Sequence, residues 1–349
     1  MIKPNLIQAP EKTRLQLLNK IMKRLTLFVI NIFVSAVLMA QTTVYPTHFT
    51  VAQDGSGDFK TIQEAVNAVR DLSQVQVIIN IKKGVYHEKL VIPSWKTKIS
   101  LIGEDSAQTI ITNNDYSGKP NQQGKDAFGK EKFNTYTSYT VLVQGNDFVV
   151  ENLTIQNSSG RIGQAVALHI EGDRCKIENC RLLGNQDTLY AATEGSRQYY
   201  QGCFIEDTTD FIFGEATAVF NRCIIKSLAN SYIAAPSTTP RQQFGFVFFD
   251  CKLIADTGIR KVHLGRPWRP YAKAVYIRTQ MGLQIIPAGW DNWRNHDNEK
   301  TAFFAEYKST GPGANATGRV PWSHQLSKND RKAYTIKTIL SGKDNWDPE

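Results

Sequence analysis

Short runs rich in Val, Ile and Phe recur along this chain every 20–30 residues, separated by Asn, Asp and Gly. They include QVQVIINI (74–81), KISLIGE (98–104), FVVENLTIQN (148–157) and CKIENCRLLGN (175–185). QYYQGCFIED (198–207), AVFNRCIIKS (218–227), FGFVFFDCKLIAD (244–256) and AVYIRTQMG (274–282) continue the series. Aligned on their apolar positions, Leu153, Cys180, Cys203, Cys223 and Cys251 fall in register, with steps of 27, 23, 20 and 28 residues. A loose repeat of this length built from short strands is the signature of a solenoid. Helical repeats are excluded, because the runs are too short and too β-branched. The expected fold is therefore all-β: a parallel β-helix. Each coil pairs with those before and after it, about 4.8 Å away.

The in-register cysteines predict an inward row of small apolar groups. There are five cysteines, Cys175 being the fifth, so they cannot all pair within one chain. Buried free thiols are the expected state, since cysteine packs as a small hydrophobe. Disulfides are the alternative for an exported protein. One amphipathic helix, Thr61 to Leu72, precedes the repeats. Ile62, Ala65, Val66, Val69 and Leu72 form its apolar face, and Thr61 with Glu64 forms a capping box. It is expected to cap the first coil, whose core and strand edges are otherwise open.

The N-terminus has a different character. Lys23 and Arg24 precede an apolar run from Leu25 to Ala40, broken only by Thr26, Asn31 and Ser35. This pattern predicts a signal peptide over about 22–40, with cleavage near Ala40 and Gln41 as the mature start. Met22 is the better initiator, and residues 1–21 read as a mis-assigned extension. The organisation is then a leader (1–40) and one β-helix domain (41–349), secreted or periplasmic, with no stable membrane insertion after cleavage. Residues 1–40 hold six of the 41 Lys and Arg and one of the 32 acids, so the formal +9 falls to +4 without them. The apparent basicity is half leader, and no nucleic-acid partner is indicated.

The chemistry concentrates in GNQDTLY (184–190) and DFIFG (210–214). Gln164, Gln186 and Asp210 are 22 and 24 residues apart, and Asp187 and Asp210 are 23 apart. Coils of that length stack these groups at one angular position. Gln186 and Asp187 would point oppositely in a flat strand, so both reach the site only if the chain bends there. Two carboxylates about 5 Å apart repel by roughly 3 kcal/mol at an effective dielectric of about 20, or around two pKa units. One should stay protonated while the other is anionic, giving an acid and a nucleophile. Arg266, in LGRPW (264–268), is the cation expected to fix which one is charged.

DGSGDFKTIQEAV (54–66), GVYHEKL (84–90), QAVAL (164–168), GNQDTLY, DFIFG, LGRPW and EYKSTGPGA (306–314) resemble, in this order, the motif set of the pectin methylesterases. The resemblance spans about Phe49 to Trp346 and points to a bacterial secreted member. It implies a right-handed, single-stranded parallel β-helix and hydrolysis of galacturonate methyl esters in pectin, with methyl-esterified homogalacturonan as the partner and a monomeric enzyme. By resemblance, Asp210 is the nucleophile, Asp187 the general acid and base, Gln164 and Gln186 the oxyanion donors, and Arg266 the group that keeps Asp210 ionised. Trp268, Phe213 and Tyr190 are implied to line the sugar groove, with coil packing as the alternative for these rings. No metal or cofactor is implied. The chain departs from the pattern at His169, where relatives carry Arg; His169 is read as structural. Rival readings are a β-helix polygalacturonase or pectate lyase, an esterase of another ester or thioester, and a non-enzymatic carbohydrate-binding solenoid. An inverting glycosidase would space its carboxylates roughly 6.5–9.5 Å apart, and a Ca²⁺-dependent lyase would need an acidic cluster.

Overall fold

The structure, a computed structural model, describes residues 11–38, 44–122, 124–126 and 129–349. The chain forms two compact units, Met1–Tyr45 and Pro46–Glu349. In the first, one helix runs Glu11–Leu38, so helix begins well before Met22. No helix among the described residues is long and apolar enough to cross a membrane. The cleavage position expected near Ala40 lies outside the described residues.

The second unit is the parallel β-helix. Its strands lie in three all-parallel sheets of eleven, eight and seven strands among the described residues. One coil shows the plan: Cys175–Glu178, then Arg181–Leu183, then Leu189–Ala191. The next coil repeats it with Arg197–Gln201, Phe204–Asp207 and Ile212–Gly214. Each strand pairs in register with its counterpart one coil away.

The register explains the cysteine row. Thr154, Arg181, Phe204, Ile224 and Lys252 are partners across the eight-stranded sheet. The residue before each is Leu153, Cys180, Cys203, Cys223 or Cys251, and all five are buried. Each of these follows a residue with positive φ: Asn152 (55°), Asn179 (50°), Gly202 (60°), Arg222 (54°) and Asp250 (52°). One left-handed residue per coil turns the chain sharply from the first sheet to the second. Gly does this without steric cost and Asn and Asp at little, whereas arginine there is strained. Beside the row, Tyr200, Phe220, Phe248 and Tyr276 stack with centroids 4.6, 4.7 and 4.2 Å apart, close to the interstrand spacing.

All five cysteines are free and buried. Burial pushes the Cys175 thiol up to about 12 and those of Cys180, Cys203 and Cys223 well above their ordinary value. Inert thiols in the native fold are the consequence, since the thiolate is the reactive form. A thiol titration should therefore be slow on native protein and approach five per chain on denatured, unreduced protein. A count of one would mean two disulfides.

The capping helix is shorter than its sequence pattern. It spans Ile62–Ala68, with Thr61 as N-cap and the full Thr61–Glu64 capping box. Glu88 adds two bonds of 2.9 Å, accepting from the Ile62 and Gln63 N–H groups. Such a carboxylate satisfies donors that the first helical turn leaves open. The helix packs on the first strands of the β-helix, and Ile62, Ala65, Val66 and Val69 are buried. The expectation that it extends to Leu72 is corrected: Val69 is already extended, and Leu72 has φ 51° and is 60% exposed. Its N–H bonds the Trp95 carbonyl instead of a helical partner.

Candidate active site

The seven-stranded sheet runs from Leu90–Ile92 to His263–Gly265, and the segments entering three of its middle strands, with the one leaving its edge strand His263–Gly265, carry the polar groups of the site. Leu189 pairs with Ile212, so Asp187 and Asp210, each two residues earlier, stand in register one coil apart. The adjacent Gln186–Thr209 bridge keeps this register. Asp187 has φ 66° and Asp210 has φ 51°. These left-handed residues supply the bend that the sequence required. They let Gln186 and Asp187 line one cavity.

That cavity measures about 250 Å³ and is walled by Gln164, Gln186, Asp187, Asp210, Phe213, Arg266 and Trp268, with Thr135, Tyr136, Ala235 and Trp293 completing it. Both carboxamides are half-buried, and among the described residues neither side chain has a hydrogen-bond partner. Arg266 grips Asp210 by two bonds, Nε to Oδ1 at 2.9 Å and Nη2 to Oδ2. Its guanidinium lies between two rings, 3.9 Å from the centroid of Tyr232 and 3.7 Å from that of Trp293. Stacking of this kind fixes the plane of the fork as well as its charge.

Burial raises the Asp187 carboxyl well above its ordinary value, and the charges of Asp210 and Asp207 raise it further against the opposing pull of Arg266. Burial also raises Asp210, but there the hydrogen bonds and charge of Arg266 act downward. Arg266 thus opposes the upward push directly at Asp210, while Asp187 is pushed well up. For both acids desolvation comes first, and at Asp187 repulsion by the neighbouring carboxylates adds to it.

Phe213 and Trp268 reach this cavity, whereas Tyr190 does not. Tyr190 stacks on Phe213 at 4.6 Å and lies almost wholly buried beside a second pocket of about 480 Å³, which shares Tyr136 and Trp268 with the first. His169 is buried, lies with its ring 4.5 Å from that of Tyr190 at a tilted angle, and places Nε2 3.3 Å from Glu171 Oε1. It thereby packs against the Tyr190–Phe213 ring pair. Tyr136, Tyr232 and Trp293 escaped the sequence reading. Tyr136 and Trp293 sit in connections with no repeat, and Tyr232 acts by stacking, which leaves no spacing signal.

Fold and pocket together define a class, a parallel β-helix hydrolase with a carboxylate pair, two amides and an arginine at its site. The pectinesterase family model matches residues 48–343, and the chain belongs to that family, whose members are carboxylic ester hydrolases. Pectinesterase 31 of Arabidopsis thaliana is 37% identical over 80% of this chain and 88% of its own. The chain spans only 53% of the probable pectinesterase/pectinesterase inhibitor 23 of the same plant. Pectin methylesterase from carrot superposes with a TM-score of 0.75 at 33% identity, covering 87% of this chain and 96% of its own. A pectin methylesterase in complex with a hexasaccharide gives 0.73 at 28% identity, over 88% and 99% of the two chains. These matches show the right-handed β-helix. They do not support the expectation of a bacterial member, since the curated relatives named here are plant proteins.

Proposed function

We infer that the chain hydrolyses galacturonate methyl esters of pectin, releasing methanol and leaving free carboxylates. The observation that carries this reading is the pairing of an arginine-bound carboxylate with a second, buried acid one coil away, in a cavity open to two carboxamides. In the proposed cycle an Asp210 oxygen attacks the ester carbonyl carbon. The developing oxyanion accepts from the Gln164 and Gln186 amides, the kind of preorganised stabilisation that is usually the largest single contribution. Collapse breaks the bond to methoxide, and Asp187 gives it a proton to leave as methanol. Asp187, now anionic, takes a proton from water. That water cleaves the Asp210 acyl anhydride, which restores both aspartates and releases the acid product. Trp268 and Phe213 offer apolar faces to the sugar rings, with Tyr190 supporting Phe213 from below.

The basic pair and apolar run of residues 23–40 support export, with the leader removed and the β-helix domain acting as a monomer on a polysaccharide. Methanol should be released from highly methylated homogalacturonan, and a simple acyl thioester assayed beside it should not be cleaved. Turnover of the thioester alone would overturn the assignment. A shortened polymer without methanol would favour a glycosidase or lyase.

A further inference from the structure

One fully buried carboxylate beside the cavity has no part in that cycle. Asp207 ends the strand Phe204–Asp207, three residues before Asp210, and none of its surface is exposed. Its Oδ2 accepts from the Thr188 N–H at 2.8 Å and the Thr188 hydroxyl at 2.6 Å. Its Oδ1 accepts from the Thr209 N–H at 3.2 Å and from the Thr208 N–H. Thr188 directly follows Asp187, and Thr208 and Thr209 lead into Asp210. One carboxylate thus ties together the two left-handed bends that aim the catalytic pair.

We propose that Asp207 is a positioning residue of the esterase site, which holds both bends and places a buried negative charge beside Asp187. The proposal rests on the roles assigned to Asp187 and Asp210 above. Four donors converge on Asp207, so the anion satisfies all of them, whereas a neutral acid would bring a fifth hydrogen to the same place. Burial pushes the Asp207 carboxyl up to about 7, against the downward pull of Thr188, Thr208 and Thr209. It is therefore anionic on the alkaline side, where Asp187 is at risk of losing its proton. The charged groups bearing on Asp187 are Asp210 and Asp207, which raise it, and Arg266, which lowers it. Asp210 is faced by Arg266 and Asp291. Removing the charge at 207 should therefore move one limb of the pH profile and not the other.

Asp207→Asn keeps the shape and removes the charge. Its Oδ1 can still accept from one bend, but its NH₂ then meets the Thr188 N–H. On methylated pectin the alkaline limb of the pH–kcat/KM profile should fall by roughly one to two pH units, with the acidic limb in place. Maximal kcat should drop more than KM changes, because the reacting groups and not the sugar contacts are disturbed. Thr188→Val keeps the Asp207 carboxylate but loses a donor that helps hold it anionic, so it should lower kcat while moving the alkaline limb less than Asp207→Asn does. Limb positions do not depend on how much protein is folded, so partial misfolding leaves the test intact. A lowered kcat in Asp207→Asn with both limbs unmoved would overturn the charge role, and unchanged kcat in both variants would overturn the positioning role. Wild-type protein that releases no methanol would instead overturn the esterase reading on which both depend.

Discussion

Asp210→Asn should lose turnover on methylated pectin by roughly 10⁴-fold or more while keeping the fold. The size of the loss follows from the proposed covalent step: an amide of the same shape has no anionic oxygen to attack the ester, and groups that act as a nucleophilic unit fail together. Retention of the fold follows from the packing. Asp210 lies on a bend outside the strands, and its backbone N–H bonds the Tyr232 carbonyl whatever the side chain is. Asn also tolerates the φ of 51° that the bend requires. Circular dichroism and thermal melting would check the fold, and methanol release would check activity. Near-native turnover would remove Asp210 from the chemistry.

For Arg266→Ala the expected result is a fall of roughly 10²–10³ in kcat/KM, together with a displaced pH profile. The sign comes from the charges on each acid. Arg266 lowers Asp210 through its hydrogen bonds and charge, so its removal raises the pKa of the group that must be ionised to attack, and the acidic limb moves to higher pH. Arg266 also lowers Asp187, so the alkaline limb should move upward as well. The whole bell shifts, in contrast to the single downward limb expected for Asp207→Asn. Arg266→Lys keeps the charge but loses the two-bond fork and the fit between Tyr232 and Trp293, so it should fall between wild type and Arg266→Ala. Reduced activity with unmoved limbs would leave Arg266 a positioning role only. A profile displaced toward lower pH would contradict the charge assignment of the pair.

The unequal pull on the two aspartates depends on burial. The Arg266 fork is only partly exposed and Asp210 is buried, so water screens their contact less than it would at a surface. The rings of Tyr232 and Trp293 cover the guanidinium faces and direct its donors to Asp210. Trp293 is itself held by its backbone N–H, which donates to Asp291 Oδ1 at 2.7 Å. Reactive groups and supporting rings thus come from stretches of chain far apart in sequence.

Translation along the solenoid axis was legible in the sequence, because strand pairing one coil apart forces a period on it. The 23 residues between Asp187 and Asp210 and the common position of Cys180, Cys203, Cys223 and Cys251 follow from that period, and the register reproduces both. The sequence also marked the start of the capping helix, since the Thr61–Glu64 cap is local chemistry. It misplaced the end, because the apolar spacing at Leu72 continues after the backbone has already left the helix at Val69. Direction and depth were decided by tertiary structure alone. Whether Gln186 and Asp187 share a cavity depends on one positive φ, which no residue type there demands. The sequence named Arg266 as the cation, and the sheet register brings it near Asp210, 56 residues away, but its two-bond grip and its enclosure by Tyr232 and Trp293 depend on side-chain directions that the period does not fix. The upward shift of the Asp187 carboxyl rests first on burial, which is a property of the packed molecule: a period in sequence fixes which residues are neighbours, but only packing fixes how much water reaches them.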